Sequence, residues 1–225
     1  MAIQDRRAPL AALLALTAAA CQRPATEGFQ TVELVHRITG RQERETVSYG
    51  PDGVRFVRPD GTYILRYADR TIFILNEQEK TFAEEGLDAF VARQKEKDMQ
   101  PDVPDLAGSV GAGSGVQIEE TSQKTPIGGV DATLTKVRGE RFEVELWLAH
   151  DLAPPGPRRP TFELLQALGG PLALPAVLFD HVKGFPVRSI VRVKGGLFGE
   201  IKATRALLSV DRTAPPAEAF AVPAD

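Results

Sequence analysis

Two Pro-Asp-Gly triplets, residues 51–53 and 59–61, stand eight residues apart inside a run of β-patterned segments. Proline presets φ, aspartate bonds its own backbone, and glycine accepts a positive φ, so each triplet reverses the chain. Only about five residues fit between such turns, and short strands joined this way form an antiparallel meander. The pattern extends both ways. Val32, Leu34, His36 and Ile38 alternate with Thr31, Glu33, Val35 and Arg37, which predicts a strand with its apolar set turned inward. Further strands are predicted at 46–49, 54–58 and 62–67. The run 71–75, Thr-Ile-Phe-Ile-Leu, is apolar on both faces and reads as a strand buried on both sides.

The period changes at 84–99, where Leu87, Phe90 and Val91 fall at helical spacing among charged residues. Acidic residues lead and basic ones follow, in accord with the helix dipole, so this segment predicts one amphipathic helix packed on the sheet. Residues 100–115 are rich in Gly and Pro and predict a flexible linker inside the domain. They lack the Gly-Lys-Ser/Thr ending of a phosphate-binding loop, and strand pattern follows where a dinucleotide fold needs a helix. Strands resume at 116–120, 130–138 and 141–149. Apolar segments at 162–168 and 176–182 read as short helices, and 187–194 with 197–210 as a closing hairpin.

No regular strand–helix–strand unit occurs, so the sheet is expected to be antiparallel, with about ten to eleven strands. A sheet of that size curls. The expected fold is mainly β with a few helices (α+β): a curved antiparallel sheet or half-open β-barrel covered by helices.

The N-terminus carries a different signal. Arg6 and Arg7 precede an uncharged stretch from Ala8 to Ala20, and the chain's single cysteine, Cys21, follows directly. Thirteen residues are too few to span a bilayer core, which takes roughly 20. A basic region, a short apolar region and small residues before a cut site make a signal peptide over 1–20. Cys21 behind Leu16-Thr17-Ala18-Ala19-Ala20 reads as a lipidation site, although Ala18 stands where a lipobox has a Leu-like residue. Ala18-Ala19-Ala20 also satisfies the A-x-A rule of ordinary cleavage, so a soluble periplasmic or secreted protein is the alternative. Residues 21–28 form the lipidated cysteine and a short polar tether, leaving 29–225 as a single domain. The expected location is the bacterial cell envelope, lipid-anchored through acylated Cys21 at the outer membrane and facing the periplasm.

Several of these segments resemble known families. "VRFVRPDGTYILRYADRTIFILNEQEKTF" at 54–82, "KTPIGGVDATLTKVR" at 124–138 and "GFPVRSIVR" at 184–192 resemble segments of uncharacterised bacterial envelope lipoproteins of a DUF family. These in turn are similar to the half-open barrel of the LolA, LolB and LppX-like lipoprotein carriers. Asp131-Ala132 stands where that pattern usually has a cysteine. The resemblance implies a LolA-like fold over residues 29–222; it does not fix an activity.

The rest of the composition excludes more than it assigns. The formal charge of −3 leaves no basic stripe for nucleic acid. His36, His150 and His181 are the only histidines; none shows metal-ligand spacing, and no nucleophile elbow surrounds Ser109 or Ser114. Neither a catalytic residue, a metal site nor a cofactor is expected, and the chain is read as no enzyme. The expected function is to bind an apolar ligand, a lipid or acyl chain, in the concave face of the sheet. Its candidate lining is Val32, Leu34, Phe56, Ile64, Ile72, Ile74, Leu87, Phe90 and Val91. Two alternatives stand beside it: an envelope protein-interaction module without a small ligand, with Trp147 between glutamates as a candidate surface, and, more weakly, a hydrolase.

Overall fold

A computed structural model describes residues 27–36, 40–98, 115–169, 173–194 and 199–222. The expected signal segment, Cys21, most of the expected tether and all but Gly115 of the linker expected at 100–115 lie outside the described residues.

Eleven strands form one antiparallel sheet: β1 (Phe29–His36), β2 (Gln42–Tyr49), β3 (Gly53–Arg58), β4 (Gly61–Arg66), β5 (Thr71–Asn76), β6 (Thr81–Gly86), β7 (Gln117–Ile127), β8 (Val130–Arg138), β9 (Phe142–Ala149), β10 (Phe185–Lys194) and β11 (Glu200–Asp211). Among the described residues their spatial order is β6-β5-β4-β3-β2-β1-β11-β10-β9-β8-β7, so β1 and β11 meet in the middle and β6 and β7 are the edge strands. Helix α1 (Leu87–Asp98) follows β6. Helix α2 (Arg158–Gly169) and a 3₁₀ turn (Ala176–Asp180) lie between β9 and β10, and a second 3₁₀ turn (Ala217–Phe220) lies in the C-terminal tail.

The sheet is curled. Strands lie about 4.8 Å apart, so β4 and β9, six places apart in the order, would be about 29 Å apart in a flat sheet. Yet α2, which leaves β9, reaches the other half: Tyr67 beyond β4 shares a 2.7 Å hydrogen bond with Thr161, and Arg58 of β3 donates to the Leu168 carbonyl at 2.8 Å. The turn between β7 and β8 likewise closes on Leu207 of β11. One core cluster therefore gathers residues from β1 to β5, from β8 to β11 and from both helices. A second lies between β8–β10, the 3₁₀ turn and Phe162 of α2, where Phe162 stacks on Phe179 with ring centroids 3.8 Å apart. Strand β9 is buried on both faces because its alternate residues serve the two clusters, Trp147 and Ala149 one, Leu146 and Leu148 the other.

Both Pro-Asp-Gly triplets are turns, but their glycines do different work. Gly61 has φ +148, as a turn glycine is expected to permit. Gly53 does not need a positive φ; a Cβ there would lie 2.6 Å from the Leu65 carbonyl oxygen, so glycine is required by close approach. The next two hairpins turn through four residues that end in Arg70 and Lys80, both at φ +54. The Asn76 side chain accepts hydrogen bonds from the Gln78 and Glu79 amides and holds the second of these turns.

The structure corrects the expected facing of β1. Phe29, Thr31, Glu33 and Val35 are its buried set, while Val32 and Leu34 are half-buried on the opposite face and His36 is exposed. Hydropathy alone favoured the other orientation; ion pairs to Glu33 decide it. The predicted helix at 84–99 begins at Leu87, because residues 81–86 pair with β5 as an edge strand. The predicted helix at 176–182 is a single 3₁₀ turn.

Gly128 tests the closure of the curl. Its φ is +58, and a Cβ would lie 2.5 Å from Leu207 Cγ, whereas Gly129, at φ +84, has open space around it. Gly128→Ala is expected to cost at least about 1 kcal/mol more in urea unfolding than Gly129→Ala, since it adds overpacking to backbone strain. Equal losses would show that the β7–β8 turn does not pack on β11.

Candidate functional site

The inner face of β1–β5 divides into an apolar and a polar half. Register sets the division. Tyr49 opposes Phe29 on β1 and Val54 on β3; Phe56 opposes Val47 on β2 and Tyr63 on β4; Leu65 and Tyr63 oppose Ile72 and Ile74 on β5. These residues share one face by the period of two. Leu87 and Phe90 of α1 close over them and are essentially inaccessible, while Tyr63, Tyr67, Ile74 and Val91 remain partly buried at the border. Phe29, Tyr49 and Phe185 form an aromatic trio: Phe29 and Tyr49 at 4.7 Å, and Phe185 edge-on to each at 5.6 and 5.3 Å.

Of the predicted lining, Phe56, Ile72, Ile74, Leu87, Phe90 and Val91 lie together in or against this cluster. The structure does not bring Val32, Leu34 or Ile64 to it. Ile64 sits on the outer face of β4, packed with Phe73, Leu75 and Val222 of the C-terminal tail. Strand β5 is thus buried on both faces, as its sequence predicts, but its outer partner is the tail.

The polar half is an ionic network. Glu33 of β1 and Glu45 of β2 are direct cross-strand partners and both are buried. Arg205 of β11 pairs with Glu33 and lies 2.9 Å from Glu45, and Arg58 of β3 lies 3.3 Å from Glu45. Thr31 donates to Glu33 at 3.0 Å, and Arg58 is also 3.2 Å from the exposed Asp60. Two carboxylates and two guanidiniums balance inside the fold. Burial works against the charge on Arg205, but Glu33 and Glu45 outweigh it and hold the guanidinium firmly protonated. Tyr49 stands at the junction of the two halves. Burial, with Glu33 beside it, pushes its hydroxyl well above the usual phenol range. That hydroxyl makes no hydrogen bond of good geometry; Thr31, which gives its own hydrogen to Glu33, is the acceptor that faces it.

Polar side-chain contacts hold the cover. Arg70 is the hinge of these: its carbonyl accepts the Leu87 amide at 2.7 Å, and its guanidinium meets Asp88 of α1 at 2.6 Å and Glu163 of α2 at 3.0 Å. Arg159 extends the chain from Glu163, 2.9 Å, to Asp180, 2.6 Å. These partners are exposed or partly so, a class of pair worth about 0–1 kcal/mol each.

Sequence reasoning missed the network. Glu33 lies on the strand face that hydropathy assigns to solvent, and nothing local marks Glu45, Arg58 and Arg205 as its neighbours. The one available hint is compositional: Arg205 sits in the alternation Ile201, Ala203, Arg205, Leu207, where a charge interrupts an apolar set.

His36, His150 and His181 are all exposed. The aspartates beside the last two are engaged by arginines, Asp151 by Arg212 at 2.7 Å and Asp180 by Arg159. Among the described residues there is no group of three His, Cys, Asp or Glu placed to hold a metal ion, and no helix is long and apolar enough to cross a membrane. Trp147 is buried, so it offers no surface.

The sequence profile of the domain of unknown function DUF4412 matches residues 55–225, and the chain belongs to that family. A search of curated proteins finds no match. Among solved structures, the crystal structure of MucB in complex with MucA(peri) is similar at 15% identity and TM-score 0.44, over 89% of this chain and 56% of that one. PNGF-II in a C2 crystal form is similar at 12% identity and TM-score 0.40, over 86% of this chain and 29% of that one. The chain therefore spans little more than half of the first and under a third of the second. At these TM-scores the likenesses do not bear on what this chain does.

The buried tyrosines predict an alkaline limit. Burial pushes Tyr67 up to about 12, its hydrogen bond to Thr161 offsetting only part of the shift. An unfolded tyrosine ionises near 10, so above that pH the unfolded state releases a proton that the folded state retains. The stabilisation is complete below pH 10 and is lost between about 10 and 12. Urea midpoints across this window should fall, and Tyr67→Phe should make the fall shallower; an unchanged slope would contradict the assignment.

Proposed function

We propose that the chain is a non-catalytic envelope lipoprotein, tethered through Cys21, that binds an apolar ligand such as a lipid or acyl chain between the curled sheet and its helices. One observation carries the reading: the inner cluster around Phe56, Ile72, Leu87 and Phe90 is closed on one side by helices fastened through exposed ion pairs. The ion pairs that hold α1 break at little electrostatic cost, about 0–1 kcal/mol each, while α2 stays fastened through Arg58–Leu168 and Tyr67–Thr161. Separation of α1 exposes Tyr63, Ile74 and Val91, already partly buried at the border, as the mouth of a site. With residues 21–28 as a tether of at most about 29 Å, the site works near the membrane surface.

A second reading, an envelope protein-interaction module, is favoured by β7. This open edge strand, Gln117–Ile127, is exposed along most of its length and offers unpaired backbone groups to an incoming strand.

Organic extraction of the mature protein purified from membranes, followed by mass spectrometry, tests the first reading. A stoichiometric lipid that is lost when Phe90→Glu charges the underside of α1 is expected. Protein that is folded, carries no lipid and takes up none from vesicles would overturn it.

A further inference from the structure

Among the described residues, six buried side-chain polar atoms lack a hydrogen bond: Tyr49 Oη, Arg55 Nε, Arg58 Nε, Trp147 Nε1, Asp151 Oδ1 and Arg205 Nη2. Five of the six are donors. Buried donors are ordinarily paired, and an unpaired one carries most of its desolvation penalty.

Three of the five converge. Arg205 Nη2 and Arg58 Nε approach the same carboxylate, Glu45, at 2.9 and 3.3 Å, but neither N–H is aligned on it for a hydrogen bond. Tyr49 shares the inner face of β2 with Glu45, and Thr31, which donates to Glu33 at 3.0 Å, faces its hydroxyl, so that hydroxyl borders the same polar patch. The Tyr49 ring meanwhile packs on Phe29 and Phe185 in the aromatic trio. An apolar wall thus ends in a group of unused donors. Arg205 lies nearest the surface, its side chain 24% exposed against 6% and 3% for Arg58 and Glu45, while its Nη2 is itself buried.

The charge of the patch selects among ligand heads. Glu33 and Glu45 already neutralise Arg58 and Arg205, so a free carboxylate or phosphate would bring an uncompensated charge into the interior. A cation would have no acceptor left to receive it. An uncharged acceptor takes the open N–H and O–H groups without disturbing the balance.

We propose that Tyr49, with Arg205 and Arg58, is a head-group site for a neutral hydrogen-bond acceptor, an ester or amide carbonyl, carried on an apolar chain. The inference rests on the apolar-ligand reading and names the ligand's polar end. A diacylated or ester-linked amphiphile fits; a free fatty acid fits less well.

Competition against the apolar dye N-phenyl-1-naphthylamine tests it, with Trp147, the chain's single tryptophan, as a second fluorescence reporter. Below their micellar concentrations, glycerol monolaurate, laurate and dodecyltrimethylammonium present one chain length with neutral, anionic and cationic heads. The wild-type protein should prefer the monolaurate, and Tyr49→Phe should weaken that ligand alone by about five- to tenfold, the value of one buried hydrogen bond. Far-UV circular dichroism and a cooperative urea transition show whether Tyr49→Phe is folded. If the dye does not bind the wild-type protein, the apolar-ligand reading itself fails. If the dye binds but the three heads compete equally in the wild-type protein, the donors serve a buried water only and the head-group site is overturned. Should Tyr49→Phe fail to fold, the wild-type order of the three heads decides alone.

Discussion

Glu33 and Glu45 face each other directly across β1 and β2, inside the fold. Like charges in that position are destabilising, and isolated buried carboxylates more so. The register is sustained only because Arg205 enters from β11 on one side and Arg58 from β3 on the other. Four consecutive strands at the centre of the sheet, β11-β1-β2-β3, are bound by this one network. A slip of β1 by one residue would turn Glu33 outward and leave Arg205 and Arg58 to share Glu45 as their one carboxylate partner inside the fold. We therefore regard the network chiefly as a register device, a role for which buried ion pairs are better suited than for net stabilisation.

The same residues connect the sheet to its cover. Arg58 reaches past Glu45 to the Leu168 carbonyl near the end of α2, so the helix that closes the curl is fastened to the network at its C-terminal turn. At its other end Thr161 meets Tyr67, and between them Glu163 meets Arg70. Both helices combine apolar packing with polar fastening. The packing supplies burial, and the polar contacts set how the helices lie relative to β3–β5. The proposed ligand would lie where apolar packing and polar contacts adjoin, at Tyr49.

Much of this architecture is legible in the sequence, for local reasons. The Pro-Asp-Gly turns, the antiparallel connectivity, the strand count and the helix around Leu87, Phe90 and Val91 follow from turn chemistry and periodicity, which act over a few residues. What escapes is what depends on partners far along the chain. Glu33 is 172 positions from Arg205, and no period-two pattern shows that a carboxylate on β1 has a counterion waiting. Hence Val32 and Leu34 read as lining when they lie outside. Ile64 fails for a related reason: the C-terminal tail, through Val222, gives β4 and β5 a second buried face that the tail's own sequence does not advertise. Gly53 shows the same limit on a smaller scale, since its need for glycine arises from Leu65 on the neighbouring strand.

A double-mutant cycle between Glu45→Gln and Arg205→Met, followed by urea unfolding, measures most directly whether the network acts as one unit. Each single replacement strands a buried charge and is expected to lower stability by about 3–5 kcal/mol. The double replacement should fall short of the summed losses by more than about 1 kcal/mol, because each residue's penalty depends on the other. Losses that add to within about 0.5 kcal/mol would show that Glu45 and Arg205 act independently, which contradicts a network that works as one unit.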